Sequence, residues 1–422
     1  MTKSALDLAY QQLSDPARRL YRLSALQTGP DLTVPPAAAL AGIDRADAGD
    51  LLDILADAGF LDEQVTGRWS LPDRVREHAR AMADRHDTPQ DREAACVRLE
   101  EYYLSTAANA QCAVIPHRPY LGRYFQTPHP RALPFPDRAT ALSWLQHEHL
   151  NIAAAQNNAY DHGRNETVWE IAEALWGLFV HRRLYSNWFD AYHLGVIAAR
   201  GCGNPVAEAR MLEGLGAACN AIKDYRSAHR YLGDALTLER AAEHDVGEAT
   251  ALEGLGVTCL GRDEPYKALG YFTLALEIHE QIGHERGVAV MHRYIGEAHA
   301  ADGRHDSAIA AFTTALAGFT DEAERYLQAR TLTGLGYAYL AAGRLADADA
   351  TLEQALAAAY QADAPYAAAT AHTGLADVAH EADDPGRDAR HLRRALGIYT
   401  SLRVPEAAAT AARLQGTSTA PE

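Results

Sequence analysis

Apolar and small residues recur at a fixed spacing of 40 positions along the second half of the chain. In five segments a small residue follows an aliphatic one, and further on an Ala, a large apolar residue and a second Ala come at helical spacing, with Asp388 replacing the first Ala in the fifth. Such spacing places the last three positions on one face of a helix. The small residues are Gly216, Gly256, Gly296, Gly336 and Ala376, and the large apolar ones are Leu232, Phe272, Phe312, Leu352 and Leu392.

Each of these segments predicts two helices joined by a tight turn. Turn-forming residues, such as Asp302-Gly303 and Gly343, separate the two helical stretches. A single helical hairpin cannot bury its own apolar stripe, so we expect neighbouring hairpins to stack. The pattern therefore predicts an all-α fold in which residues 205–403 form an α-solenoid of five repeats.

The first 85 residues have a different pattern, with short helical stretches and one pair of extended runs. Asp44 precedes a helical stretch as a capping residue would. Helices combined with a small hairpin predict a winged-helix-like domain. The predicted elements are helices over 5–28, 37–43, 45–60 and 72–85, and a hairpin turn at Thr66-Gly67.

The remaining segments lie between these two regions and after the repeats. Aromatic residues are dense around Trp176 and Trp188, one repeat length before the first repeat, and we interpret them as the core of a degenerate hairpin. The predicted boundaries are 1–85 for the winged-helix-like domain, 86–165 for a helical connector with a loop rich in Pro and aromatic residues, 166–204 for the aromatic hairpin, 205–403 for the repeats and 404–422 for a C-terminal tail.

The charge of the chain disfavours nucleic acid as a partner. The formal net charge is −17, which repels phosphates and anionic lipid. The helix predicted over 45–60 would have to enter a DNA groove, but it carries four Asp against Arg45 alone. We therefore expect no direct DNA binding, and a cationic or neutral partner fits better.

Cofactor, metal and membrane signals are missing from the sequence. The five cysteines contain no C-x-x-C pair, and the 19 histidines show no ligand spacing. No apolar run of membrane-spanning length or secretory signal occurs, and hydrolase, P-loop and dinucleotide motifs are absent. These observations predict a cytoplasmic protein with no metal or cofactor and no recognisable catalytic residue, although a groove lined by acidic and basic groups leaves an enzyme possible.

The repeats resemble the tetratricopeptide repeat (TPR), with a small residue at the eighth place and Ala at the twentieth and twenty-seventh. The usual period is about 34, so longer helices or longer links are expected here. The N-terminal stretches LSDPARRLYRLSAL, LLDILADAGFLDE and RWSLPDRVREHA resemble the winged-helix region of STAND-type ATPases of the NB-ARC class, which are common among bacterial transcription regulators.

Two departures from that family concern nucleotide binding. No G-x-x-x-x-G-K-[ST] run is present, and Leu71-Pro72-Asp73 stands where the family carries Met-His-Asp. We therefore do not carry ATPase activity over to this chain. Whether the chain is a piece of a larger regulator or a protein without the nucleotide-binding domain is left open.

The resemblance also implies where a ligand would bind, because the first helices of successive TPR hairpins line a concave face. This implies a sensor or scaffold that binds a peptide, a protein partner or a small effector; the alternative for this face is a solvated surface whose charges pair among themselves. The candidate residues are Arg210, Glu213, Asn220, Glu253, Arg293, Glu297, Arg330 and Tyr337, followed by Asp377 and His380.

A second function is open for the connector. Its segment 112–139 is rich in Pro and aromatic residues and carries Arg118, Arg123 and Arg131, which favours packing but leaves a clamp for an acidic partner open. A small-molecule pocket enclosed by this segment and the aromatic hairpin would indicate a repurposed pathway enzyme rather than a scaffold.

Overall fold

The computed structural model describes residues 3–127, 129–319 and 324–417. The chain divides into two compact units, residues 1–218 and 219–422. Within the described residues the fold is helical apart from one two-stranded sheet, which confirms the all-α class. None of the helices in these ranges is long and apolar enough to cross a membrane.

The first unit contains irregularly spaced helices and the small sheet. The strands are β1 (Asp62–Val65) and β2 (Arg68–Ser70). The helices are α1 (Lys3–Gln12), α2 (Asp15–Ser24), α3 (Val34–Ala41), α4 (Arg45–Asp57), α5 (Asp73–His86), α6 (Pro89–Val114), α7 (Arg123–Gln126), α8 (Arg138–Asp161), α9 (Asn165–Ala174), α10 (Trp176–Arg182), α11 (Tyr185–Gly201) and α12 (Pro205–Ala221), which crosses the boundary between the units.

The single helix predicted over 5–28 is wrong. The chain forms α1 and α2 instead, and Ser14 lies between them in an extended conformation. The backbone N–H of Ala17 donates to Ser14 Oγ at 3.4 Å, so a new helix starts where the apolar pattern continues without interruption.

The predicted hairpin is present. β1 and β2 pair antiparallel around Gly67, whose φ of +78° suits a residue without a Cβ. Backbone hydrogen bonds of 2.7 and 2.9 Å tie Leu32 to Trp69 on the other side of β2, and Trp69 packs in the core with Tyr21 and Phe60. The elements over residues 3–86 follow the predicted order, and the winged-helix assignment itself stays a prediction.

The second unit is a regular array in which neighbouring helices pack side by side and each repeat packs on the next. This arrangement is an α-solenoid. Its helices are α13 (Tyr225–Ala241), α14 (Asp245–Gly261), α15 (Pro265–Gln281), α16 (Glu285–Ala301), α17 (His305–Gly318), α18 (Arg325–Ala341), α19 (Leu345–Gln361), α20 (Pro365–Glu381), α21 (Pro385–Leu402) and α22 (Glu406–Thr417). The last of these lies in the segment predicted only as a tail.

The 40-residue period arises from two 17-residue helices and two three-residue turns, as in α13 to α16. The middle residue of each turn adopts the left-handed conformation, which ends one helix and redirects the chain into the next. The same 20-residue spacing of left-handed residues extends back through Gly163, Arg183 and Gly203 in the first unit. In the second unit these residues are Lys223, Glu243, Asp263, Gly283, Gly303, Gly343, Asp363, Asp383 and Arg403.

The small residue of the first helix is required by the large apolar residue of the second. A Cβ added to Gly256 would lie 2.3 Å from the ring of Phe272, and one added to Gly336 would lie 2.5 Å from Leu352. Both distances are far inside van der Waals contact. Close approach of the two helices therefore explains the sequence motif that revealed the repeat.

Candidate functional site

Three of the predicted ligand-binding residues come together on α16 and α18 of the second unit. An Arg293 Nη1 donates to Glu297 Oε1, and the same oxygen lies 3.7 Å from Arg330 Nη2. The Arg293 guanidinium also stacks 3.8 Å above the ring of Tyr294. We call Arg293, Glu297 and Arg330 the charge row. It alternates in sign across two consecutive repeats.

Exposure divides the charge row into a support and an accessible part. The side chain of Arg293 is 1% exposed, whereas Glu297 is 32% and Arg330 39% exposed. Burial, and next the negative charge of Glu253, raise the pKa of Tyr294 to about 12, so this phenol stays neutral at pH 7. Glu297 and Arg330 can therefore meet a partner, while Arg293 holds Glu297 in place.

Other predicted residues are engaged in contacts between helices. The Asn220 side-chain amide donates to Gly254 O at 3.3 Å and accepts from Thr258 Oγ1 at 3.0 Å, which ties the end of α12 to α14. A ligand would have to break both bonds to use Asn220. Its contacts fit a structural role, although its predicted role in binding stays a prediction.

Helix α22 covers the end of the predicted face. Arg413 donates to Asp377 Oδ1 and, at 3.4 Å, to Asp388 Oδ1, while His380 Nδ1 lies 3.6 Å from Asp388 Oδ2. Burial raises the pKa of Asp377 against the opposing effect of Arg413, and burial also raises that of Tyr337. The alternative interpretation, in which charges of the face pair among themselves, describes this end well.

Arg413 was missed by sequence reasoning. Its segment, EAAATAARLQ, is rich in Ala and therefore favours a helix, which is the signal that could have indicated it. Asp388, interpreted as a sign of a degenerate repeat, is buried as the partner of this arginine.

The two predicted residues of α12 that lie in the first unit have a different environment. Arg210 and Glu213 are both buried, and Arg210 Nε lies 3.7 Å from Glu213 Oε2 and 3.9 Å from Glu173 Oε1. Glu173 also accepts backbone hydrogen bonds from Leu121 at 3.1 Å and Gly122 at 2.9 Å. These carboxylate contacts fasten the 112–139 segment onto α9.

A second arginine joins this group from the 112–139 segment. The guanidinium of Arg118 stacks 4.0 Å above the indole of Trp176, and Trp176 meets Trp188 edge to face at 5.5 Å. Burial, and next the positive charge of Arg210, lower the pKa of Arg118. We call Arg118, Glu173, Tyr192, Arg210 and Glu213 the buried charge cluster.

One cavity of this unit is smaller than the pocket expected of a pathway enzyme. That cavity has a volume of about 120 Å³, which is small for a metabolite. It opens between α8, α10 and α11 rather than under the 112–139 segment, and its lining includes His149, Gln156, Phe179, Asp190 and Leu194.

Two pairs of neighbouring histidines occur in the second unit, and His279, His372 and His391 among them are buried. The Nδ1 atoms of His372 and His391 are 3.0 Å apart, Tyr360 Oη lies 3.1 Å from His372 Nε2, and a similar pair joins His279 and His284 at 3.2 Å. Burial, and next His391, lower the pKa of His372 to about 4. Across the described residues no group of three His, Cys, Asp or Glu side chains is placed to hold a metal ion.

Comparisons with known proteins identify the repeats. Residues 247–321 and 287–361 match the tetratricopeptide repeat family, which confirms TPR repeats in the second unit. The chain is also 33% identical over 209 residues to the regulatory protein AfsR of Streptomyces griseus, an alignment that covers 49% of this chain and 21% of that protein. AfsR of Streptomyces coelicolor is 34% identical over 156 residues, which covers 36% of this chain and 16% of that protein.

The chain thus aligns with about a fifth of the length of these regulators. Among solved structures, a STAND protein with a tetratricopeptide repeat sensor from Pyrococcus horikoshii superposes with a TM-score of 0.51 at 14% identity, over 99% of this chain and 62% of that one. At this identity the likeness concerns the fold. Together these comparisons establish a TPR fold with similarity to regulatory proteins.

Proposed function

We propose that this chain is a regulatory sensor or scaffold that binds a peptide or a segment of a protein partner along the first-helix face of its second unit. The charge row carries the proposal. It presents a half-exposed carboxylate and a half-exposed guanidinium on adjacent TPR hairpins, and an extended segment carrying both charges could pair with them.

The buried part of the charge row supports the same proposal. Arg293 is held by the ring of Tyr294 and in turn holds Glu297, so the carboxylate is ordered before a partner arrives. An ordered side chain loses less conformational entropy on binding than a free one. We assign the residues of 1–85 to docking of another domain or subunit, consistent with an acidic α4 that suits DNA poorly.

The proposal is tested by measuring binding of a fluorescent peptide library to the full chain, with ATP and ADP in parallel. We expect peptides carrying both charges to bind and nucleotides to leave thermal stability unchanged. Arg330→Ala should weaken binding of the best peptide by about twofold to fivefold, because one exposed ion pair is lost.

Arg344→Ala is the matched control. Arg344 is 49% exposed, pairs with Asp347 at the start of α19 and stacks on a tyrosine, yet it lies outside the charge row. Equal binding by wild type, Arg330→Ala and Arg344→Ala would contradict a role for the charge row. Stabilisation of the chain by ATP or ADP would contradict the assignment as a sensor without nucleotide binding.

A further inference from the structure

In the buried charge cluster of the first unit, the only carboxylate charge that acts on Arg118 among the described residues is that of Glu173, from beyond ion-pair distance. Arg118 has neither a carboxylate within ion-pair distance nor a hydrogen bond to its Nε there, although this Nε is fully enclosed. Buried charges in proteins are nearly always paired, because an unpaired one loses its hydration without compensation. The arrangement therefore indicates a missing anionic partner.

The two glutamates of the cluster pair with Arg210 rather than with Arg118. Glu173 accepts the backbone N–H groups of Leu121 and Gly122, and both Glu173 and Glu213 lie within 4 Å of Arg210. The positive charge of Arg210 also acts on Arg118, whose pKa it lowers after burial. An anion at Arg118 would relieve this repulsion between two guanidinium groups.

A second enclosed donor lies in the same cluster. The side chain of Tyr192 is fully buried, and its hydroxyl has no hydrogen-bond partner within the part of the chain that the structure describes. Burial raises the pKa of Tyr192 against the opposing effect of the positive charge on Arg118, so the group remains a neutral phenol that can donate. Buried hydroxyls are normally satisfied by protein, water or a ligand.

Aromatic rings form the wall of the cluster. Trp176 contacts Trp188 and Tyr192, with ring centres 5.5 and 6.4 Å apart, and Trp188 stacks on Phe179 at 5.8 Å. Arg118 and Trp176 are each partly exposed, so the edge of the cluster that they form meets solvent, while the Nε of Arg118 lies inside. An apolar body next to the anionic group would fit this wall.

We propose that the buried charge cluster binds a small monovalent carboxylate with an apolar body, whose carboxylate pairs with Arg118 and accepts from Tyr192. A carboxylate fits better than a phosphate, because a second negative charge would face Glu173 and Glu213. This site lies within residues 1–218 and is separate from the charge row, so it goes beyond the function proposed above.

The test is tryptophan fluorescence and calorimetry of the full chain with acids and their neutral amides. Phenylacetate against phenylacetamide probes a free acid, and N-acetyl-leucine against N-acetyl-leucinamide probes the terminal carboxylate of a peptide. We expect saturable binding of at least one acid below about 10 mM, with its amide at least about tenfold weaker. Binding of phenylacetate would indicate a free acid as the ligand, and binding of N-acetyl-leucine would indicate the terminal carboxylate of a peptide.

Variants of the 112–139 segment locate the site. Arg118→Met should abolish acid binding and Arg118→Lys should retain part of it, since a lysine keeps the charge without the fork of donors. Arg131→Met, whose exposed side chain lies in the same segment, and Arg330→Ala should both bind the acid like wild type. Unchanged binding by Arg330→Ala separates this site from the charge row.

Three results would overturn the proposal. The first is equal binding of an acid and its amide, and the second is no binding of any acid at about 10 mM. The third is acid binding by Arg118→Met that equals that of the wild type. The first two are measured on the wild-type chain, so they remain decisive if a variant fails to fold. Inorganic phosphate binding more tightly than every acid would contradict the choice of a monovalent carboxylate.

Discussion

The two units are held together by contacts that span very different distances along the chain. In the first unit, the Gln27 amide donates to Asn151 Oδ1 at 3.2 Å across 124 residues, and Arg68 reaches Glu148 across 80. In the second unit, the Tyr366 hydroxyl donates to Glu406 Oε1 across 40 residues, which is the length of one repeat. The first unit depends on specific polar pairs between distant segments, whereas the second depends on a small set of local contacts used repeatedly.

This difference predicts how far the effect of a substitution on stability should spread within each unit. Stability in a repeat array is a sum of local terms, so a substitution acts mainly on its own repeat and the adjacent ones. A unit held by long-range pairs has no such partition, and loss of one pair should loosen distant segments together. The following predictions test this contrast, from the largest expected effect to the smallest.

Arg68→Met should have the largest effect. Arg68 forms ion pairs of 2.6 Å with both Asp31 and Glu148, and Asn151 donates to the same two carboxylates at 2.8 Å. Removing the cation leaves two carboxylates in contact with a buried amide and should cost about 3 kcal/mol of unfolding free energy. Hydrogen exchange should show lost protection across residues 3–218, with residues 219–417 unaffected.

Arg200→Met is the matched control for this prediction. Arg200 pairs with Glu208 at 2.7 Å, but its side chain is 60% exposed, so the loss should be below about 0.5 kcal/mol. Loss of protection confined to the sheet and α8 in the Arg68→Met chain would contradict the long-range character of the first unit.

Acid should weaken the second unit through His372. Its pKa is lowered to about 4 when folded, against an ordinary value of 6.5, because the buried ring faces His391 and Tyr360, with Arg394 nearby. The unfolded chain binds the proton first, so stability is complete above pH 6.5 and is lost as the pH falls towards 4. The total loss should be about 3 kcal/mol, because each unit of pKa shift corresponds to about 1.4 kcal/mol.

His372→Gln checks this assignment by chemical denaturation at several pH values. The slope of stability against pH between 6.5 and 4 should fall by up to about 1.4 kcal/mol per pH unit, because one proton uptake is removed. An unchanged slope would show that His372 is not protonated on unfolding in this range.

Gly256→Ala should disturb only its own part of the array. The added methyl would overlap the ring of Phe272, and overpacking of this kind costs about 1–2 kcal/mol. Gly270→Ala is the control, since a Cβ at the exposed Gly270 of α15 meets nothing within 4 Å and should stabilise the helix by up to about 1 kcal/mol. Hydrogen exchange should place the loss in α14 to α16, and loss across α20 and α21 would contradict local coupling.

The sequence contained enough information to predict the periodic unit. A repeated small residue opposite a repeated large one leaves a trace at fixed spacing, and Gly256 with Phe272 shows the contact that creates it. The break at Ser14 leaves no trace at fixed spacing, but Ser14 followed by Pro16 is a signal for the start of a helix, which the prediction of one helix over 5–28 overlooked.

The predicted site was less accessible to sequence reasoning for a physical reason. The position rule for a TPR face assumes that each helix has a repeat on both sides. Arg293 and Glu297 meet that condition, whereas Arg210 packs against Glu173 of α9, which precedes the first repeat. From the sequence, Arg118 is only one of several basic residues in the 112–139 segment. Its stacking on Trp176 depends on the path of a loop, which no periodic pattern predicts.

The three-residue turns with a left-handed centre, which recur every 20 residues, also bear on how such an array can change in length. One added residue inside a helix rotates every later side chain by about 100° and would misalign the apolar stripe. A whole added or deleted hairpin restores the register at the next turn and presents the same surfaces to its neighbours. Duplication or deletion of a gene segment can therefore lengthen or shorten the repeat array in discrete 40-residue steps.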